Sequence, residues 1–119
     1  MYVLKVREHF DSAHHLVGYG GKCARVHGHR WIVEVEVAGD RTDSIGMVHD
    51  FGRLREILRD ILPDHLDVNE VYNDLNPTAE NLARVFYEQL RARVPETVAV
   101  TVWETPDCGC RYEETGSRC

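Results

Sequence analysis

Cys23-Ala24-Arg25-Val26-His27-Gly28-His29-Arg30-Trp31-Ile32-Val33-Glu34-Val35-Glu36-Val37 is the stretch whose reading decides the fold. Trp31, Val33, Val35 and Val37 alternate with Arg30, Glu34 and Glu36, the period-two pattern of a strand with one buried face. His27 and His29 share parity with the apolar series. An unbroken register therefore puts both imidazoles on one side, where the buried face runs into its mouth. A bulge at Gly28 would change that facing. Upstream, Ala13-His14-His15 offers a third imidazole, and because adjacent strand residues point oppositely, only one of that pair can join the set. Three neutral histidines suit a tetrahedral zinc and leave its fourth position for water or substrate.

Working outward, residues 2–10 place Tyr2, Leu4 and Val6 at period two, which predicts a first strand with one buried face. Phe10-Asp11-Ser12-Ala13-His14 forms its end, before the turn-rich Gly18-Tyr19-Gly20-Gly21. Beyond Val37, Gly39 to Ser44 is a polar connection. Asp50 or Gly52 then opens a helix whose stripe is Leu54, Ile57, Leu58 and Ile61, and Pro63 stops it. Asp64 to Asn69 reads as irregular. Asn76-Pro77-Thr78 sets up a second helix with Thr78 as N-cap and Leu82, Val85, Phe86 and Leu90 as its apolar stripe, ending at Pro95. Residues 97–104 predict a third strand, with Val98, Val100 and Val102 on one face and Thr101 and Trp103 on the other. Cys108-Gly109-Cys110 reads as a turn into a short fourth strand at Arg111-Tyr112-Glu113. Two helices with one stripe each can cover one sheet face only, so the expectation is an α+β domain over residues 1–119, an antiparallel sheet with helices on one side. The other face and the edges must be solvated or met by a second subunit, which makes a homo-oligomer the physical expectation.

Composition narrows the function. Of the 119 residues, 43% are apolar and 29% charged, ordinary values that argue against disorder. A net charge of −6 excludes a general binder of nucleic acid or anionic membranes. It leaves room for a small anionic substrate beside a local pair such as Lys22 and Arg25. Met1 to Arg7 is too charged for a signal peptide, and no stretch approaches the ~20 apolar residues of a membrane span. The chain reads as soluble and cytoplasmic, with its four cysteines Cys23, Cys108, Cys110 and Cys119 reduced. Cys119 is terminal and reads as mobile.

Each chemical residue has a plain alternative. His14, His27 and His29 are read as a zinc set because His-x-His is joined to a Cys four residues before and a His thirteen before. His9 and His49 read as structural or surface residues. Cys23 is a base or nucleophile beside the metal, a small buried hydrophobe, or a fourth ligand closing a structural site, and spacing does not separate these. Asp64-His65 is either a solvated turn or a carboxylate that fixes an imidazole tautomer. Glu104 is either a solvent-facing strand end or a carboxylate that recognises a planar N–H pair.

Taken together, Phe10-Asp11-Ser12-Ala13-His14, Cys23-x-x-x-His27-Gly28-His29, Asp50-Phe51, Asp64-His65-x-x-Val68-Asn69, Asn76-Pro77-Thr78-Ala79-Glu80-Asn81 and Val102-Trp103-Glu104-Thr105 resemble the 6-pyruvoyltetrahydropterin synthase family. In length and spacing they are most similar to its bacterial 6-carboxytetrahydropterin synthase branch, which serves queuosine biosynthesis. The resemblance implies the tunnelling fold in ββααββ order, with three subunits joining sheets into a barrel, two rings stacking into a hexamer, and active sites between subunits. It implies zinc on His14, His27 and His29, Cys23 as proton acceptor, Asp64 and His65 as a relay, and Glu104 as anchor of the pterin ring, supported by Thr105 and Thr78. The implied substrate is 7,8-dihydroneopterin triphosphate, converted with loss of triphosphate and acetaldehyde and without a redox cofactor. The sister reaction, which keeps the side-chain carbons and gives a pyruvoyl product, shares this metal and base. A non-catalytic zinc-stabilised binding module is the alternative from another class.

Overall fold

A computed structural model describes residues 1–114, so Cys119 lies outside the described residues. The elements are β1 (Tyr2–His14), a 3-10 turn (Lys22–Ala24), β2 (His27–Gly39), α1 (Phe51–Ile61), α2 (Val68–Val71), α3 (Ala79–Arg93), β3 (Thr97–Thr105) and β4 (Cys108–Glu113). The four strands form one antiparallel sheet in the order β1-β2-β3-β4. All three helices lie in the connection from β2 to β3. α1 packs on β1, and α3 packs on β3 and β4.

The core lies between the helices and one sheet face. Phe10, Trp31, Val33, Val35, Val37, Val100 and Val102 come from the sheet, and Leu54, Ile57, Leu58, Leu82, Phe86 and Leu90 from α1 and α3, all buried. Each fully buried side chain of this size contributes roughly 1.5–3 kcal/mol of transfer free energy. Asp50, one of the two starts the sequence leaves open, caps α1 by accepting from the Gly52 N–H, and the Thr78 hydroxyl caps α3 by accepting from the Asn81 N–H, as the sequence predicts. The opposite sheet face carries Lys5, Arg7, Glu34 and Arg111 and, among the described residues, has no helix over it.

Four expectations need correction. Tyr2 is exposed and Leu4 half-buried, so only Val6 of that series is fully in the core, and Tyr2 and Leu4 line a cavity with Phe51 of α1. Val98 does not share the core face with Val100. The register shifts between Glu36 and Val37, so Val37 pairs with Thr97, and Thr97 takes the buried place with its hydroxyl donating to the Val94 carbonyl. The segment from Asp64 to Asn69 is not wholly irregular: Asp67 accepts from the Asn69 N–H and starts the one-turn helix α2. Cys108-Gly109-Cys110 is strand rather than turn. The chain reverses at Pro106-Asp107, where the Thr105 hydroxyl accepts from the Asp107 N–H at 3.2 Å, and Gly109 pairs with Trp103.

Gly109 has a steric reason to be glycine. A Cβ there would lie 2.5 Å from Cε3 of Trp103, whose ring lies against the bare backbone. Gly109→Ala is therefore expected to lose ~1–3 kcal/mol of stability as overpacking against a rigid ring. Urea unfolding measures this, and replacing Trp103 by Val in the same chain should recover most of the loss.

Candidate metal centre

The site is built from two strand ends. β1 and β2 pair without a break from Tyr2↔Gly39 to His14↔His27, with Ser12 opposite His29 and Ala13 opposite Gly28. No bulge forms at Gly28, so His27 and His29 stay on the face of Trp31 and Val33. Cross-strand pairing then delivers His14 to the same face, and ligand nitrogens of His14, His27 and His29 all lie within 4.8 Å of one another. His15 is not part of the group, as its opposite parity requires. Trp31, fully buried, packs beneath the cluster with its ring centroid 4.6 Å from that of His14 and 4.4 Å from that of His29.

Each imidazole is turned by a backbone carbonyl. Nδ1 of His14 meets the Pro77 carbonyl at 3.1 Å, that of His27 the Arg25 carbonyl at 2.7 Å, and that of His29 the Arg30 carbonyl at 3.1 Å. A ring that donates its Nδ1–H in this way presents a lone pair at Nε2, the tautomer that metal-binding histidines need. The Nε2 atoms of His14 and His29 stand 3.1 Å apart. Burial pushes the His14 pKa down to about 4 against the opposing pull of the Pro77 carbonyl, so this ring is neutral at pH 7. The donor set, its tautomers and its convergence fit a divalent metal with imidazole preference.

Cys23 sits on the 3-10 turn, half-buried, and its sulfur is not among the convergent ligand atoms. Its carbonyl accepts from the Leu16 N–H at 2.8 Å, which ties the turn to the exit of β1. Asp64 and His65 follow α1 and wrap the edge of β1. Asp64 Oδ1 accepts from the Asp11 N–H at 2.8 Å, Asp64 Oδ2 stands 3.0 Å from Nδ1 of His65, and the His65 N–H donates to the Asp11 carbonyl at 2.6 Å. The Asp11 N–H, with His65 adding to it, holds the Asp64 pKa below the usual carboxylate range. His65 is also the only non-glycine residue with positive φ among the described residues, at 59°. His65 and His29 line one groove of about 500 Å³ between the ends of β1 and β2.

Glu104, half-buried at the end of β3, lines a different cavity of about 570 Å³ with Glu80, Cys108, Cys110 and Arg111. Thr105 is exposed, and the Thr78 oxygen is engaged as the cap of α3. Within one chain, then, the three imidazoles come together, while Cys23, the Asp64–His65 pair and Glu104 lie at separate places.

Sequence reasoning missed the groups that hold this arrangement. Asn69 grips His15 from both sides, its Oδ1 accepting from the N–H at 2.8 Å and its Nδ2 donating to the carbonyl at 3.0 Å. Asn76 does the same to Val17, at 2.9 and 3.1 Å. The only signal was that both asparagines stand in motif segments without an assigned task.

The model of the family described as 6-pyruvoyl tetrahydropterin synthase matches residues 3–115. A Synechocystis protein named 6-carboxy-5,6,7,8-tetrahydropterin synthase is 35% identical, over 94% of this chain and 93% of that one. Its Bacillus subtilis namesake is 33% identical, over 87% and 80%. Among solved structures, the 6-pyruvoyl tetrahydropterin synthase of Caenorhabditis elegans superposes with a TM-score of 0.86 at 25% identity, over 96% of each chain. The sheet and helices described above are thus the tunnelling fold.

His27→Ala is expected to strip the bound metal from the purified chain, whereas Cys23→Ala keeps one equivalent. Elemental analysis of both variants decides this. Metal lost from the cysteine variant would make the sulfur a ligand.

Proposed function

Because the chain belongs to the 6-pyruvoyl tetrahydropterin synthase family, we propose that it converts 7,8-dihydroneopterin triphosphate to 6-carboxy-5,6,7,8-tetrahydropterin, releasing acetaldehyde and triphosphate, in the cytoplasm as a step toward queuosine or another 7-deazapurine. The observation that carries this reading is the convergence of one ring nitrogen from each of three histidines, with a free thiol left outside the set. His14, His27 and His29 hold zinc, which when bound supplies a Lewis acid to the substrate's side-chain hydroxyls. The carbonyls of Arg25, Arg30 and Pro77 keep the three rings in the ligating tautomer. Cys23 accepts a proton from the substrate carbon. A thiol outside the ligand shell is free to cycle between thiol and thiolate. Asp64, anchored on Asp11, orients His65 through Nδ1 and leaves its other nitrogen to pass protons.

Glu104 accepts the paired N–H donors of the pterin ring, with Thr105 and Thr78 beside it. The Thr78 oxygen accepts in the cap, and its hydroxyl hydrogen can still donate. The side chain of His65 is 78% exposed, and among the described residues β1 and β4 are the two edge strands of the sheet. Such features support assembly into a trimer or hexamer whose active sites are completed by a neighbouring copy. The pyruvoyl-forming reaction is the second reading, favoured by the close superposition on the nematode enzyme. The binding-module reading loses support from a Cys23 that does not close the ligand set.

Incubation with dihydroneopterin triphosphate tests the proposal. Acetaldehyde and a 6-carboxy product are expected, and a pyruvoyl product without acetaldehyde would assign the sister reaction. Cys23→Ala should lower turnover by ~10²-fold or more while zinc content stays unchanged. Glu104→Ala should weaken pterin binding with the metal intact, as fluorescence titration would read.

A further inference from the structure

Trp31 lies beneath the three histidines with its side chain fully buried, and its Nε1–H has no hydrogen-bond partner among the described residues. A buried donor without a partner costs stability that a phenylalanine in the same core place would not. What indole offers over phenyl is a stronger attraction for positive charge at its π face. Two of the three converging imidazoles touch this indole. The His29 ring lies 4.4 Å from it between centroids and is tilted by 34°, and the His14 ring meets it edge-on at 4.6 Å and 72°. Phe10 stacks on the indole at 5.8 Å with 4° between the planes, and Phe86 meets Phe10 edge-on at 5.9 Å, so the indole is fixed from the core side.

Charge gives these contacts a consequence. The converging set is three imidazoles, and each Nδ1 meets a backbone carbonyl rather than a carboxylate. A divalent cation held by such a set is not neutralised by its ligands, and it spreads positive charge onto the rings. His14 is 1% and Trp31 0% exposed, so water does little to screen that charge where the rings meet the indole. A cation within about 6 Å of an indole centroid is attracted to the π face, and more so when desolvated. Both ring contacts fall inside that range. The uncharged imidazoles of the empty site gain much less from it, so the indole favours the loaded state. We propose that Trp31 is a positioning residue that raises the affinity of the centre for a divalent cation, its π face receiving the positive charge that His14 and His29 take on. This rests on the reading of His14, His27 and His29 as metal ligands.

Placing mono-, di- and trifluorinated tryptophan at Trp31 in the full chain tests this, because fluorine on the benzo ring withdraws π density while nearly keeping its shape. Zinc affinity is read by competition with a chromogenic chelator, zinc content by elemental analysis, and the stability of the metal-free chain by urea unfolding. Affinity should fall with each added fluorine, by about tenfold over the series, while metal-free stability stays nearly level. Zinc affinity indifferent to fluorination overturns the proposal and leaves the metal reading standing. An affinity that falls only in step with metal-free stability also overturns it and makes Trp31 a packing residue. A wild-type chain that takes up no zinc refutes the metal reading, and the role of Trp31 with it.

Discussion

Everything in this molecule hangs on the unbroken pairing of β1 with β2 from Tyr2↔Gly39 to His14↔His27. Side-chain direction on a strand has period two, so one slipped residue would send His14 to the open face and leave the other two imidazoles without it. The register is secured by what it buries: Val6 and Phe10 on one strand, Trp31, Val33, Val35 and Val37 on the other, all against α1 and α3. Phe10 stacks on Trp31 at 5.8 Å, and Trp31 carries the histidines. The core and the site are thus consecutive stretches of one sheet face, and stability of the first sets the geometry of the second.

That continuity is why so much of the site was legible in the sequence. His27 and His29 inherit their facing from the alternation that ends at Val37, and His14 follows once the strands pair. The amphipathic stripe Leu54-Ile57-Leu58 and the caps at Asp50 and Thr78 are local signals, and local signals survive folding. What escaped prediction depends on partners distant in sequence. The bulge that exchanges Val98 for Thr97 arises from pairing with β2, and Gly109 looks like a turn residue until Trp103 lies against it. The link from Asp64 to the backbone of Asp11, and the carbonyls of Arg25 and Pro77 that turn the rings, are conformational facts with no residue signature.

Some of the polar groups have a structural task, and others are assigned one only by the proposed function. Asn69 and Asn76 hold down the chain beyond His14, and Asp67 starts α2, so the motif segments around them are explained by architecture. Cys23 and His65 tie the chain through their backbones, but their side chains and that of Glu104 have no such task. Cys23 offers a sulfur that the metal set does not take. The side chain of His65 is largely exposed, on a residue whose backbone is left-handed at φ 59°. Glu104 is half-buried in the wall of a cavity. Under the proposed function these are the side chains the reaction uses.

The proposed function requires that three imidazoles hold a zinc ion with one position left for substrate. X-ray absorption spectroscopy at the zinc edge on the purified wild-type chain reads this. A first shell of three nitrogens and one light oxygen or nitrogen atom is expected, changed when a pterin substrate is added. A sulfur in that shell, or a shell that ignores substrate, would rule it out.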